Sequence, residues 1–256
     1  MNKFTVIIPA RMHSTRLPHK MTLDVGGVPL IIRTALQAQK SHAHRVVVAT
    51  DHTDILAICQ EHKIDAILTA TTHHSGTDRV KEAVESLGLD QDEIVINVQG
   101  DEPLIDPQLI NQLAQFLADK HTDIATLAHP IHAEDEIFNP HIVKVVLDHK
   151  KNAMYFSRAP IPFYRDGFPP HHEFKLPTQL NILRHIGIYA YRVDFLHKYN
   201  QLSPSEIELV EGLEQLRALY NGYQISVLEI AHAPAAGVDT LTDLQRVRQL
   251  VTHIIT

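Results

Sequence analysis

The chain has 256 residues, of which 44% are hydrophobic and 21% charged, and its formal net charge is −7. This mixture is that of an ordinary globular protein, which excludes disordered, collagen-like and disulfide-stapled chains. The length allows one large domain or a domain with a substantial insertion. Because the protein is acidic overall, we expect no general nucleic-acid partner.

The first half of the sequence alternates between strand-like apolar runs and segments with helical spacing of apolar residues. In chain order the predicted strands are residues 4–8, 45–49, 65–68 and 93–98, and the predicted helices are residues 29–40, 53–62, 77–87 and 107–118. Continuous apolar strands that alternate with helices are typical of parallel strands covered on both faces. The pattern predicts a doubly wound α/β fold, whose ligands bind at the carboxyl ends of the strands.

The regular alternation of strands and helices ends after residue 124, where the connections become longer and richer in proline. The predicted elements are strands at 124–128, 143–147, 186–191 and 225–230, an extended loop at 159–177, and helices at 205–220 and 241–255. We therefore predict a single domain of residues 1–256 with an inserted mixed α/β segment over approximately residues 125–229.

The number of cysteines and the length of the apolar runs indicate the cellular compartment of the protein. Cys59 is the sole cysteine, so no intrachain disulfide can form, which fits a reducing compartment. No apolar run approaches the ~20 residues of a membrane-spanning helix, and the first strand-like run is too short for a signal-peptide core. We expect a soluble, cytoplasmic protein with no membrane partner.

A cationic loop follows the first strand, at residues 8–20. The first 50 residues carry seven Lys or Arg and one acid, a local charge of +6, and Arg11, Arg16 and Lys20 lie within this loop. Backbone N–H groups and such cations suit a triphosphate; the alternative is a surface loop with solvated charges. The glycines of a P-loop or of a dinucleotide fingerprint are missing, which disfavours a Rossmann oxidoreductase.

Two aspartates come directly after strand-like or loop segments. Asp101 ends the run Val-Ile-Asn-Val-Gln-Gly-Asp, and Asp239 lies in Gly-Val-Asp-Thr before the last helix. Carboxylates placed in this way can hold Mg²⁺, which favours carboxylate oxygens. The alternative is that they cap helices, as Asp106 does before Pro107, and for Asp239 alone the cap is the stronger interpretation.

The second half adds polar side chains with weaker individual signals. Arg158 can bind a carboxylate, His185 and Tyr189 alternate onto one face of a strand, and Glu214 and Gln215 can bind sugar hydroxyls. Each also has an ordinary interpretation as a surface ion pair, a core histidine or a solvated helix face. The 19 histidines form no zinc motif, so a solvated surface is the better account of them.

Taken together, these segments resemble the 3-deoxy-manno-octulosonate cytidylyltransferase family. The resemblance runs in collinear order from Phe4 to about Arg248 and rests on IIPAR…STRLP.K, VATDH, HHSGTDR, VINVQGDEP, NPHIVKVVLD, YFSRAPIP, RHIGIYAYR, LEQLRALYNG and GVDT. The nucleotide half is shared more loosely with other sugar-nucleotide transferases, including CMP-sialate synthetases. The block YFSRAPIP…RHIGIYAYR is much more specific.

The resemblance implies a Rossmann-like nucleotidyltransferase fold and a Mg²⁺-dependent reaction of CTP with 3-deoxy-manno-octulosonate (KDO) that yields CMP-KDO and pyrophosphate for lipopolysaccharide synthesis. It also implies a homodimer built largely by the inserted segment. The implied site residues are Ala10, Arg11, Arg16 and Lys20 for the triphosphate and base; Ser75, Gly76, Thr77 and Arg79 beside cytosine; Gln99 and Gly100 in the nucleotide site; Asp101 and Asp239 as metal ligands; and Arg158, His185, Tyr189, Glu214 and Gln215 for KDO.

One departure concerns the cationic loop. The family commonly has Leu-Pro-Gly-Lys-Pro, whereas this chain has Leu17-Pro18-His19-Lys20-Met21. The change removes the residue that adopts a positive φ most easily and leaves the path of the loop open. The alternatives to KDO chemistry are the same reaction on another acid sugar such as sialic acid, and a non-catalytic nucleotide or sugar sensor.

Overall fold

A computed structural model describes residues 3–73, 75–168, 181–199 and 201–255. Within these residues the strands are β1 Phe4–Ala10, β2 Arg45–Thr50, β3 Ala66–Leu68, β4 Ile94–Asn97, β5 Ile124–Pro130, β6 Lys144–Leu147, β7 Ala153–Ser157, β8 Leu183–Arg192 and β9 Ile225–Glu229. The helices are α1 Leu30–Ala38, α2 Thr53–Glu61, α3 Gly76–Leu87, α4 Pro107–Ala118, α5 Glu134–Phe138, α6 Val193–Tyr199, α7 Glu206–Glu211, α8 Gln215–Tyr220 and α9 Leu241–Ile255. A 3₁₀ turn spans Lys20–Thr22.

The main path of the sheet has the strand order β3-β2-β1-β4-β8-β5-β9. Strands β1, β2, β3 and β4 pair in parallel, β9 pairs in parallel with β5, and β8 runs antiparallel to both β4 and β5. In β1, Val6 and Ile8 pack into one core cluster and Ile7 into another. The sheet is therefore covered on both faces, which is why its strands are continuously apolar and why the predicted α/β class is confirmed.

The sheet continues into the second half of the chain. β5, β8 and β9 belong to the main sheet, and β6 and β7 form an antiparallel pair joined to the amino-terminal end of β8 through Lys144↔Arg184 and Val145↔Leu183. A register shift between Thr126 and Leu127 marks a bulge in the β5–β8 pairing. The extra residues lie in β8, and a bulge bends the strand that carries them.

The prediction of one helix over residues 205–220 is wrong. Gly212, at φ 61°, ends α7 in the left-handed conformation, and α8 begins at Gln215. Helical spacing of apolar residues continues across the break, so periodicity alone does not detect it, whereas a glycine at such a position commonly ends a helix. The sequence also did not predict β7, α5 or α6. Of the predicted 159–177 loop, residues 159–168 contain no helix or strand, and residues 169–177 lie outside the described residues.

The loop after β1 packs against the last helix. Leu17, Val25 and Leu30 form an apolar cluster with Val238 and with residues of α9 such as Leu244. His19 adopts the left-handed conformation, at φ 54° and ψ 27°, immediately before the 3₁₀ turn. The histidine thus takes a backbone conformation that glycine adopts at lower cost. The next residue, Lys20, is buried, with 7% of its surface exposed.

The left-handed backbone at His19 generates a test of stability. In this conformation a Cβ atom costs about 1 kcal/mol, so His19→Gly should be more stable than His19→Ala by about that amount, or about 2–4 °C in Tm for a chain of this size. Differential scanning calorimetry of the two variants measures the difference. Equal Tm values would show that residue 19 does not hold a positive φ in solution.

Candidate active site

All of the residues implied by the resemblance line one cavity of about 680 Å³. The cavity lies at the carboxyl ends of β1 and β4, and β8 and α8 form its far wall. This is the edge at which open α/β sheets bind their ligands. The structure therefore brings together residues from Ala10 to Asp239, although position alone assigns no role to any of them.

A buried ammonium group joins the two aspartates at the centre of the cavity. Lys20 Nζ lies 2.6 Å from Asp101 Oδ2 and 3.1 Å from Asp239 Oδ1. Arg16 Nη2 lies 3.1 Å from the same Asp239 oxygen. Two cations of the loop after β1 and two carboxylates from distant parts of the chain thus form one charged cluster.

Two glycines permit the close approach of the segments that carry these groups. A Cβ at Gly100 would lie 3.0 Å from the Pro9 carbonyl oxygen, and a Cβ at Gly237 would lie 2.9 Å from the Asp101 carbonyl oxygen. The same Asp101 carbonyl accepts a hydrogen bond from the Val238 N–H at 2.8 Å. A larger residue at 237 would clash with the backbone of Asp101, and one at 100 would crowd the backbone of Pro9.

Asp239 is not the cap of α9. The Thr240 hydroxyl accepts a hydrogen bond from the Asp243 N–H at 3.2 Å, and the Asp243 carboxylate accepts one from the Thr240 N–H at 2.9 Å. These reciprocal bonds form the capping arrangement. The Asp239 carboxylate is consequently free to face the cavity. Asp106, by contrast, caps α4 as predicted, since its Oδ1 accepts the Gln108 N–H at 2.9 Å.

The donor set at this centre fits Mg²⁺. A single cation, the Lys20 ammonium, already contacts both carboxylates, so the two oxygens are close enough to share a positive charge. Among the described residues no group of three or more His, Cys, Asp or Glu side chains is arranged to hold a metal. The two carboxylates by themselves suit Mg²⁺, which proteins commonly bind through one or two carboxylates while phosphates and waters complete its octahedron.

The wall built by α3 is fixed from within the protein. Ser75 caps the helix by accepting the Asp78 N–H at 3.0 Å, and Thr77 Oγ1 donates to Glu214 Oε2 at 2.9 Å. The Arg79 guanidinium, 4% exposed, donates to Asp51 at 2.7 Å and to Thr69 at 2.5 Å. Arg79 therefore fastens the ends of β2 and β3 to this wall.

The opposite wall holds the residues that the resemblance implies for the sugar. Arg158 donates through its guanidinium to the carbonyl oxygens of Glu211 at 2.7 Å and Pro140 at 3.0 Å. The His185 ring hydrogen-bonds Thr126 Oγ1 at 3.0 Å, and its centroid is 5.4 Å from that of Tyr189. Burial lowers the pKa of His185 to about 3, so this ring is neutral at physiological pH.

The sequence did not predict a site role for several residues of the cavity. Asn97, Glu102 and Arg184 line the cavity, and Arg184 donates to Glu136 at 2.9 Å. Burial raises the pKa of Glu102 to about 7, and the charges of Asp101 and Asp239 add to the rise. Each of these three residues lies within two positions of a residue that the resemblance implies for the site. This proximity in sequence is the signal that could have indicated them. His73, held by Glu82 of α3, also lines the cavity.

Comparison with known proteins identifies the family. A family model described as cytidylyltransferase matches residues 5–226. Proteins named 3-deoxy-manno-octulosonate cytidylyltransferase from Neisseria meningitidis serogroup C (strain 053442) and from Herminiimonas arsenicoxydans are each 53% identical to this chain; the matches cover 97% and 98% of this chain and 98% and 99% of the relatives. The chain belongs to the 3-deoxy-manno-octulosonate cytidylyltransferase family. The family predicted from the sequence motifs is thereby confirmed.

Solved structures agree with the assignment. A CMP:2-keto-3-deoxy-manno-octonic acid synthetase complexed with CTP matches with a TM-score of 0.89 and 39% identity, over 99% of this chain and 100% of the other. A cytidylyltransferase from Leptospira borgpetersenii matches with a TM-score of 0.60 at 15% identity, over 99% of this chain and 88% of the other, which shows a shared fold only. The predicted nucleotidyltransferase fold is confirmed. Among the described residues, no helix has the length and apolar character needed to cross a bilayer.

The lowered pKa of His185 gives a pH-dependent prediction. Its folded-state pKa of about 3 lies below the unfolded value of 6.5, so the unfolded chain takes up a proton at this residue first. Wild-type stability should therefore fall as pH drops from about 6.5 towards 3, and the neutral variant His185→Gln should lose less over that range. Urea unfolding at pH 7.5, 6 and 5 measures both proteins.

A control separates this effect from general acid destabilisation. His232 is exposed, and His232→Gln should follow the wild-type pH dependence. If His185→Gln also follows the wild type between pH 7.5 and 5, the His185 ring is not held neutral by burial.

Proposed function

We propose that this protein transfers CMP from CTP to the anomeric hydroxyl of KDO, giving CMP-KDO and pyrophosphate for lipopolysaccharide synthesis. The observation that carries the proposal is that one cavity places a cationic loop and two aspartates opposite a wall of His, Tyr, Glu, Gln and Arg side chains. The names of the relatives that match nearly the whole chain support the same substrates.

The reaction we propose is an in-line displacement at the α-phosphorus of CTP. The anomeric oxygen of KDO forms a bond to the α-phosphorus, the bond from that phosphorus to pyrophosphate breaks, and the hydroxyl proton passes to solvent. Phosphoryl-type transfers of this kind depend on positioning and charge neutralisation rather than on covalent catalysis. The role of the protein is therefore to hold the two substrates in line and to offset the charge of the leaving group.

We assign the neutralisation of the leaving pyrophosphate to three cations, Arg11, Arg16 and Lys20. Arg11 is exposed at the rim, whereas Arg16 and Lys20 are paired with Asp239 and Asp101. A bound triphosphate would compete with these carboxylates for the two cations. Arg and Lys that turn from carboxylate to phosphate keep a charge-assisted hydrogen bond throughout, so the exchange of partners costs little.

Asp101 and Asp239 are the residues we assign to Mg²⁺. When bound, the ion would neutralise phosphate charge and lower the pKa of the attacking hydroxyl. The contribution of this chain is to keep the two carboxylates together before the ion arrives, which the Lys20 ammonium does by contacting both. Without such a cation, the two neighbouring carboxylates would repel each other.

The sugar acid is assigned to the opposite wall. A guanidinium has five N–H donors, and Arg158 uses three nitrogens on backbone carbonyl oxygens, at 2.7, 3.0 and 3.5 Å. Donors on Nη1 and Nη2 remain for the KDO carboxylate. The backbone contacts hold the planar group in a fixed orientation, which favours recognition of a planar anion.

We also propose that the protein acts as a cytoplasmic homodimer. The inserted segment exposes large apolar side chains, with Met154 at 63%, Leu209 at 74% and Val210 at 86%. Leu209 and Val210 are adjacent residues of α7, and contiguous exposed apolar surface commonly belongs to an interface. The cytoplasmic location is supported by Cys59, the sole cysteine of the sequence, whose free and buried thiol fits a reducing compartment.

The roles of the aspartates can be tested by Asp101→Asn and Asp239→Asn. Each change keeps the shape of the side chain but removes one negative charge from the cation site, and we expect pyrophosphate release from CTP and KDO to fall at least about 100-fold. The assay is run with and without Mg²⁺, with other nucleoside triphosphates, and with sialic acid in place of KDO. Turnover of sialic acid in preference to KDO would contradict the proposed substrate.

Asp106→Asn is the matched control for these variants. It makes the same chemical change at the cap of α4, where Asn is about as good a cap as Asp. We expect wild-type activity and stability. If Asp101→Asn or Asp239→Asn is as active as this control, the metal assignment fails.

The proposed dimer predicts a change of mass in solution. Val210→Glu places a charge on the most exposed of the large apolar side chains, so we expect light scattering to show two copies for the wild type and one for the variant. Leu68→Glu, on the edge strand β3 and 51% exposed, is the control and should leave the mass unchanged. A wild-type mass equal to that of one copy would rule out the dimer.

A further inference from the structure

Asn97 is a buried polar residue that the assigned roles leave unexplained. It is the last residue of β4 and only 2% exposed. Its Oδ1 atom is buried and accepts no hydrogen bond from any residue that the structure describes. The residue nevertheless lines the cavity.

The sheet register shows where the Asn97 side chain lies. Asn97 pairs with Ile7 of β1 on one side and with Tyr189 of β8 on the other. It faces the same side of the sheet as Val95, two residues earlier, and this face carries Tyr189 as well. Asn97 is thus at the floor of the cavity, between the strand that leads into the cationic loop and the strand that carries the sugar-side residues.

An unpartnered buried acceptor lowers the stability of the protein that contains it. Leaving such a group without a hydrogen bond costs about 1–3 kcal/mol, and most buried polar groups in native proteins are satisfied. Asn111 of α4 is the contrasting case: it is 7% exposed, and its Oδ1 accepts the His42 N–H at 2.8 Å. Asn97 lacks such a donor, and the cavity is the direction from which one can come.

We propose that Asn97 is a specificity-determining residue whose Oδ1 accepts a hydrogen bond from a hydroxyl group of a bound substrate. The inference rests on the proposed function and extends it. A neutral amide oxygen cannot accept from phosphate or carboxylate groups, which are acceptors themselves at neutral pH. The remaining donors of the substrates are the exocyclic amine of cytosine and the hydroxyl groups of the ribose and of the sugar acid. The cytosine amine is assigned to the segment Ser75–Arg79, so the hydroxyl groups are the donors left for Asn97. Asn97 therefore discriminates hydroxylated substrates from their deoxy analogues.

The first test compares Asn97→Leu with Asn111→Leu. Leucine has nearly the shape of asparagine, so each variant removes the amide without leaving a large cavity. Asn97→Leu should keep or raise Tm while kcat/KM falls about tenfold, because it removes an acceptor that only the substrate satisfies. Asn111→Leu should lower Tm and leave kcat/KM within twofold of the wild type, because its partner is in the protein.

Two outcomes of this comparison would overturn the proposal. If the Tm of Asn97→Leu falls as far as that of Asn111→Leu, Oδ1 has a partner within the protein. If kcat/KM stays within twofold of the wild type, no substrate uses Oδ1. The Tm comparison needs no substrate, and wild-type turnover is measured first, so that absence of turnover counts against the proposed function and not against Asn97.

A second test identifies which hydroxyl is bound. Wild type and Asn97→Leu are compared with CTP, 2′-deoxy-CTP and 3′-deoxy-CTP, and with KDO and KDO analogues that each lack one hydroxyl. For the wild type, kcat/KM should be about tenfold lower with the analogue that lacks the bound hydroxyl than with the natural substrate. For Asn97→Leu, kcat/KM should be the same with that analogue as with the natural substrate. A loss of equal size in both proteins for every analogue would contradict a hydrogen bond to Asn97.

Discussion

The contact of Lys20 with Asp101 and Asp239 is the interaction on which the rest of the site depends. It joins three parts of the chain that are 81 and 219 residues apart in sequence. Lys20 is almost fully buried, and a buried charge without its partners is strongly destabilising. The backbone at His19, the glycines at 100 and 237, and the packing of Leu17 against α9 all serve to bring this ammonium between the carboxylates.

The order of the sheet explains why such distant residues meet. β1 and β4 are parallel neighbours, so the cationic loop and Asp101 leave the sheet at the same edge. β8 enters antiparallel beside β4 and places His185 and Tyr189 against the same opening. Thr77 then ties α3 to Glu214 of the second half through a hydrogen bond of 2.9 Å. The walls proposed for the nucleotide and for the sugar are consequently joined by a direct hydrogen bond.

Local rules made much of this fold predictable. Continuous apolar strands, the Asp106 cap and the positions of the cations were readable from the sequence, because each depends on neighbouring residues only. The break at Gly212 and the strand β7 were not, because apolar spacing does not distinguish one helix from two and β7 is stabilised by pairing with β6. Sequence motifs located Arg79 at the cavity, but only tertiary contacts show that its guanidinium is already occupied by Asp51 and Thr69.

The cavity contains two classes of polar group, and the difference has consequences for binding. Lys20, Arg16 and Arg158 have partners in the protein, so a ligand that takes them must replace an existing contact. Asn97 Oδ1 and Gln215 Nε2 have none among the described residues, so a ligand that reaches them gains a hydrogen bond that nothing in the protein loses. We therefore expect charged groups of a ligand to exchange partners at little net gain, and the neutral contacts to contribute most to discrimination between similar sugars.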